Sequence, residues 1–496
     1  MSLATTTSSP KEQQSRASTL AGRCAAGLGA VALAWLIYGS LAHDPMRGAG
    51  GHDAHAQAPS RWSILPFAGL LLCIATFPLI PSIAHWWEHN KNRLMVSLTF
   101  GTATLGYYWA GYGWSKTHGV LEHAVVEEYI PFMVLLFSLY VISGGISLTG
   151  DLAAHPATNT AFLAVGAMIA SIVGTTGASM LLIRPLLQTN AERKHVKHTV
   201  IFFIFLVSNC GGCLLPIGDP PLFLGYLKGV PFLWTLALWK EWAVVCGALL
   251  LIYYLWDHRA YKTEAVRDIV RDEAQLAPLR LRGRINLALL SGVVLCVGLV
   301  KPGEEFLGLG FRTFPFMREL VTLALVAASL KWSKPGVREA NQFNYAAILE
   351  VAALFIGIFL CMQAPIEILR ANGTALAPYL NSPRAFFWAT GALSSFLDNA
   401  PTYVVFFETA ASMTPDHALG VLRLVDGTTI FPSMLTAISC GAVFMGANTY
   451  IGNGPNFMVK SIAEQAGVKM PSFFGYMLYS LGILVPLFLV VTVVFM

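Results

Sequence analysis

Apolar runs of roughly bilayer-crossing length, about 20 residues, fill most of this chain. Polar residues fall in two kinds of place: some separate the runs, and others interrupt them. Apolar segments lie near 24–42, 62–80, 94–112, 129–148 and 158–173; the last meets a break at Gly174 and returns through 178–188. They continue at 199–217, broken by Gly218–Pro221, and at 222–229, 232–256, 285–300, 316–331 and 344–362. A run at 384–397 meets a break at Asp398 and returns through 400–412, and a broken segment at 430–457 precedes a final one at 473–496. The pattern predicts an all-α polytopic membrane protein. A Ser/Thr-rich tail, 1–23, is expected to be disordered ahead of the first segment, which reads as an uncleaved signal anchor.

The interruptions recur in both halves. Gly174-Thr175-Thr176-Gly177 is followed by Ser208-Asn209-Cys210-Gly211-Gly212 and Gly218-Asp219-Pro220-Pro221; Asp398-Asn399-Ala400-Pro401-Thr402 is followed by Gly446-Ala447-Asn448-Thr449 and Gly452-Asn453-Gly454-Pro455-Asn456. Lipid cannot satisfy a loosened backbone, so such breaks persist where they line a cavity or a ligand. Gly212…Gly218-Asp219-Pro220-Pro221 aligns without gaps onto Gly446…Gly452-Asn453-Gly454-Pro455. Broken helices at corresponding positions of two halves point to the substrate site of a transporter.

Basic residues test the arrangement, because cytoplasmic loops carry an excess of Lys and Arg. From a cytoplasmic N-terminus, Lys91/Arg93, Arg193/Lys194/Lys197, Arg259 to Arg284 and Lys331/Lys334/Arg338 all fall inside on two conditions. The Gly174 and Asp398 segments must be re-entrant hairpins, and 199–229 and 430–457 must each cross once. The two halves then run in opposite senses, as inverted-topology repeats, each with a re-entrant hairpin and a broken transmembrane helix. The expected organisation is N-terminal membrane segments at 24–125, a first transport repeat at 126–256, a cytoplasmic linker at 257–284 forming an interfacial helix or a charged loop, and scaffold helices with the second repeat at 285–496.

Composition agrees. Charged residues make up 12% of the 496 and hydrophobic ones 55%, against about 25% charged in a soluble domain. The net charge of +5 is modest, which gives no sign of a nucleic-acid surface. Cys210 and Cys213 form a CxxC inside an apolar run, which favours packing over redox or metal chemistry. His85-Trp86-Trp87-Glu88-His89 fits the HxxEH pattern of some zinc peptidases, a remote alternative for a segment at a membrane edge. His43, His52 and His55 lie in a loop at 43–60 that reads as solvated. No nucleotide-binding P-loop is present in the sequence, which argues against primary active transport.

Hard cations take oxygen ligands, and the breaks supply them: Thr175, Thr176, Ser208, Asn209 and Asp219 in the first half, and Asp398, Asn399, Thr402, Asn448, Thr449, Asn453 and Asn456 in the second. Asp219 and Asp398 carry most weight, since an ionisable residue inside a membrane span is a functional hypothesis by default. Each is a candidate to hold a proton or a cation, and each could also cap the half-helix after it. Glu128 and Glu350 begin corresponding segments and are candidate gating or proton-path residues. Arg184, on a hairpin's returning arm, would snorkel, pair or neutralise an anionic substrate.

On Ser208-Asn209-Cys210-Gly211-Gly212 with Pro216-Ile217-Gly218-Asp219, on Asp398-Asn399-Ala400-Pro401, and on Gly452-Asn453-Gly454-Pro455-Asn456, the chain from about residue 60 onward resembles the ion transporter superfamily, in pattern the NhaD-type sodium/proton antiporters and the bacterial proteins called putative citrate transporters. The resemblance implies inverted repeats, elevator-like alternating access and often a homodimer. The expected place is the inner membrane. The dicarboxylate branch carries Ser-Asn-Thr tips; this chain has Gly174-Thr175-Thr176-Gly177 and Asp398-Asn399-Ala400-Pro401 instead. An acidic tip favours a cation. The expected function is therefore sodium/proton antiport, with cation-coupled symport of citrate or another organic anion as the alternative. No resident cofactor is expected; Na⁺ and H⁺ are cargo.

Overall fold

The structure, a computed structural model, describes residues 59–274, 276–300, 312–372, 378–415, 419–424 and 427–496. The expected tail at 1–23, the first apolar segment at 24–42, and His43, His52 and His55 lie outside the described residues.

Most of the described residues are helical. In order, the principal helices are α1 (Leu65–Thr76), α2 (Asn90–Glu122), α3 (Ile130–Gly144), α4 (Pro156–Val173), α5 (Thr175–Thr189), α6 (Lys197–Leu206), α7 (Pro220–Leu227) and α8 (Trp239–Tyr261). They continue with α9 (Arg284–Leu299), α10 (Met317–Trp332), α11 (Ala346–Cys361), α12 (Pro383–Ser394), α13 (Asn399–Ser412), α14 (Pro432–Met445), α15 (Gly454–Gln465) and α16 (Phe473–Phe495). Among the described residues, six helical stretches are long and apolar enough to cross a membrane: Arg61–Leu79, Asn90–Gly144, Pro156–Val173, Phe232–Tyr261, Ala346–Ala371 and Phe473–Phe495. This is a multi-pass membrane protein. The 55-residue stretch holds two of the expected segments, and Gly113, at φ 79° and ψ 176°, breaks the helix between them. Such a backbone conformation is one that glycine adopts without strain.

The helices form two compact units. Among the described residues, one takes those up to Ile130 together with Tyr345–Asn372, and the other takes those of 131–344 and 373–496. In the first unit α11 lies along α2 so closely that a Cβ on Gly357 would stand 2.6 Å from the Ser97 carbonyl oxygen. Apolar attraction between helices is weak in lipid, so small residues that let backbones approach do much of the packing.

In the second unit α6 is enclosed on all sides: every residue from Thr199 to Val207 has no exposed surface. A helix apolar around its whole circumference belongs in the interior. Its counterpart in the later half, α14, is buried from Leu435 to Met445 with the single exception of Thr436. Around these cores stand two helical hairpins. α4 and α5 pack against each other across Gly174, and α12 and α13 pack across Ser395–Asp398.

The linker holds a short helix and a strand. α8 continues to Tyr261, a short helix comes next at Val266–Ala274, and residues Ala277–Arg282 form β2, paired antiparallel with β1 (Ser147–Asp151). Ser147 faces Arg282 and Thr149 faces Arg280, and the register slips at Gly150. That glycine has φ 137°, and a Cβ there would lie 2.8 Å from the Leu279 backbone, so no side chain fits. Sequence reasoning missed the strand because its alternation, Pro-Leu-Arg-Leu-Arg, is hidden in a basic run. A second two-stranded ladder joins β3 (Leu422–Arg423) to β4 (Thr429–Ile430).

Candidate functional site

The two hairpin tips and the two helix breaks of the larger unit meet at one buried carboxylate. α4 ends at Gly174, whose φ of 81° lets the chain reverse into α5. The first amide of α5, Thr175 N–H, donates to the carbonyl oxygen of Gly218 at 2.8 Å, which fixes the tip to the break after α6. The next residue is Asp219. It precedes Pro220 and Pro221, the first two positions of α7, and its carboxylate caps no amide of that helix. The reason is chemical: the prolines have no N–H to donate. The carboxylate is thereby free to turn inward, where it is 1% exposed.

Three donors surround it. Thr175 Oγ1 donates to Oδ1 at 2.9 Å, Asn453 Nδ2 donates to Oδ1 at 3.1 Å, and Asn399 Nδ2 donates to Oδ2 at 2.6 Å. No Lys, Arg or His pairs with Asp219 among the described residues. Asn453 occupies the position that aligns with Asp219, and its amide nitrogen also approaches the Ser208 carbonyl oxygen at 3.1 Å and Asn209 Oδ1 at 3.2 Å. Four oxygens of the first half thus gather here, Asp219 Oδ1, Asn209 Oδ1, Ser208 O and Thr175 Oγ1, with the Asn453 amide reaching them from the second. Asn399 Oδ1 is buried beside them without a hydrogen-bond partner. Asn209 Nδ2 donates to Asn456 Oδ1 at 2.7 Å, and Asn456 Nδ2 in turn holds the carbonyls of Gly446 and Thr449, each at 2.9 Å. Hard cations use such carboxylate, amide, carbonyl and hydroxyl oxygens.

Further expected site residues lie in the same unit. Asp398 is half-buried and caps α13, accepting from Ala400 N–H at 3.1 Å, while Thr402 Oγ1 donates to the Asp398 carbonyl. Ser208 Oγ shares a hydrogen bond with Ser179 Oγ at 2.8 Å. Thr449 Oγ1 donates to the Ser395 carbonyl and accepts from the amides of Ile451 and Gly452, and Asn448 Nδ2 donates to Ser395 Oγ. Thr176 is half-buried next to Thr175. Glu128 and Glu350 belong to the smaller unit. There Glu128 accepts from Gln363 Nε2 at 2.8 Å, and Glu350 pairs with Arg93 at 2.9 Å. His85 and Glu88 pair with each other at an exposed position, and Cys210 and Cys213 are buried free thiols.

Two serines escaped the sequence reading. Ser171 Oγ donates to the Gly211 carbonyl and accepts from Leu214 N–H; Ser395 Oγ accepts from Asn448 Nδ2 and shares its proton between the carbonyls of Gly391 at 2.8 Å and Met445 at 3.2 Å. On the Gly212–Gly446 alignment, Gly211 corresponds to Met445, so the two serines serve their breaks alike. Both stand three residues before the hairpin break, and that shared offset was the available signal. The breaks agree in packing too. A Cβ on Gly218 would fall 2.2 Å from the Gly212 carbonyl oxygen, and one on Gly452 would fall 2.6 Å from that of Gly446.

A family model described as "Putative citrate transport" matches residues 56–496. Comparison with curated proteins gives no match.

Proposed function

Because this chain belongs to the putative citrate transport family of membrane transporters, we propose that it is a secondary transporter exchanging sodium for protons, with Asp219 as the group for which the two ions compete. The observation that carries the reading is a carboxylate almost completely buried, hydrogen-bonded by three neutral donors and paired with no cationic side chain among the described residues. A charge so placed is costly unless it is neutralised. A proton does that, and so does a sodium ion bound by the carboxylate with the oxygens of Asn209, Ser208, Thr175 and Asn399. Because one oxygen cannot hold both, loading one ion releases the other, which is the chemistry of exchange. The like devices in the two halves support a repeated architecture with elevator-like alternating access.

Proteoliposomes holding a proton gradient and a pH-sensitive dye test this. Sodium or lithium should dissipate the gradient with wild-type protein, and Asp219→Asn should abolish the response, a loss of at least about a hundredfold in rate. An unchanged Asp219→Asn rate would remove Asp219 from the cycle. The family's description favours a second reading, cation-coupled symport of citrate or another organic anion. Under it, cations alone give no response, and citrate accumulates only when sodium is present.

A further inference from the structure

A second polar feature lies at the opposite end of the helices that build the Asp219 cluster. α5, α6 and α15 each have one end at the cluster, through Thr175, Ser208 just beyond α6, and Asn456. α15 packs against both α5 and α6. Their other ends carry Arg184, Lys197 and Gln465, nine to eleven residues away, or about 15 Å at 1.5 Å per residue. There they enclose a cavity of about 870 Å³, finished by the loops at 190–196 and 466–469. Small-molecule sites commonly have volumes of roughly 300–1,000 Å³.

The lining is unusual in charge. It includes Arg184, Arg193, Lys194, Lys197 and Lys469 and no carboxylate. Arg193 is committed to Asp257 through two hydrogen bonds, at 3.0 and 2.6 Å. The other four have no carboxylate partner among the described residues. Arg184 is held in place: its Nη2 donates to Gln342 Oε1 at 3.0 Å, and its Nη1 is buried with no hydrogen-bond partner. Gln342 has φ 48°, a left-handed conformation rare outside glycine, so the backbone is strained where it presents that amide. An arginine fork with one arm fixed and the other unused is suited to a carboxylate or phosphate.

We infer that this cavity is a binding site for a multivalent anion bearing carboxylate or phosphate groups, distinct from the Asp219 cluster. Four unpaired cations facing one space repel each other, and a monovalent anion would leave most of that charge uncompensated. An anion with three or more charges removes it. Such chemistry is offered by a soluble polyanion and by the headgroup of an anionic lipid.

The test is anion binding to the full chain in nanodiscs, with citrate and inorganic triphosphate as probes and sodium chloride at matched ionic strength as the control. In zwitterionic lipid both probes should bind saturably and raise the melting temperature, while chloride does not. Arg184→Gln combined with Lys469→Gln should weaken binding at least tenfold; Lys469→Gln alone, at a loop position, should weaken it about threefold and stands in if the double variant fails to fold. Asp219→Asn should bind the probes like wild type, which keeps this site separate from the exchange reading. In nanodiscs containing phosphatidylglycerol, competition that raises the probes' dissociation constants tenfold assigns the site to a lipid headgroup, and unchanged constants assign it to a soluble anion. Stabilisation no greater than that from chloride, or a double variant that folds and binds like wild type, would overturn the proposal.

Discussion

Asp219 and Asp398 read alike in the sequence, each an acid at a break in an apolar run, and their surroundings separate them. The difference lies in the residues immediately C-terminal to each. Asp398 precedes Asn399 and Ala400, whose amides can be capped, and its carboxylate accepts from Ala400 N–H. Asp219 precedes two prolines, which offer no N–H, and its carboxylate caps no amide of the helix that follows. The prolines were visible in the sequence. The donors that surround Asp219 were visible as residue types, yet their convergence was not, because Asn399 and Asn453 come from elements far along the chain. Since Asn caps a helix about as well as Asp, Asp398→Asn should keep both thermal stability and exchange activity. Asp398→Ala should lower stability by about 1 kcal/mol, read as a melting shift in detergent. Loss of exchange in Asp398→Asn with folding intact would instead make the Asp398 carboxylate part of the cycle. Gly218 allows an equally sharp test. An added Cβ would meet the Gly212 carbonyl oxygen at 2.2 Å, a backbone atom that cannot swing away. Gly218→Ala should cost about 3 kcal/mol or more, whereas Gly247→Ala, with nothing within 4 Å in mid-α8, should be neutral or slightly stabilising.

At the scale of elements, apolar run length located the helices well. The expected segments at 158–173, 178–188, 384–397 and 400–412 correspond to α4, α5, α12 and α13 within a few residues. Hydrophobic pattern carries that information because a helix satisfies its own backbone. A strand does not, and β2 became legible only through its partner β1, more than a hundred residues earlier in the chain. Beside that ladder burial raises both Asp151 and Asp272 above the ordinary aspartate value of 3.8; the Glu192 carboxylate adds to each, and at Asp272 the Ala154 amide opposes the rise without cancelling it. The sign comes from linkage: a folded-state value above the unfolded one gives stability that is complete below 3.8 and is lost as pH rises through the folded value. Amide exchange in β1 and β2, corrected for the intrinsic rate, should therefore slow as pH falls from 7 towards 4, and Asp151→Asn should flatten that dependence. A profile in Asp151→Asn that matches wild type would show that the carboxylates do not set the stability of the ladder.

For the molecule as a whole, composition and segment count were enough to read a multi-pass membrane protein, and the break motifs were enough to read an ion or citrate transporter family. The division into two units was not legible, since Tyr345–Asn372 joins residues before Ile130 across most of the chain. Nor was the basic cavity, because its residues belong to three separated stretches, and Arg193, Lys194 and Lys197, taken alone, read as an ordinary positive loop.

The reach of the bonds to Asp219 has a consequence for how the protein is made. Its amide partners come 180 and 234 residues later in the chain. At a synthesis rate of about 5–20 residues per second, roughly ten to fifty seconds separate the moment this aspartate leaves the ribosome from the arrival of its last partner. Throughout that interval α6, enclosed in the finished molecule, lacks α15 against which to settle. The first half of the nascent chain must then wait, sheltered by the insertion machinery or with its acid protonated, until the second half completes it.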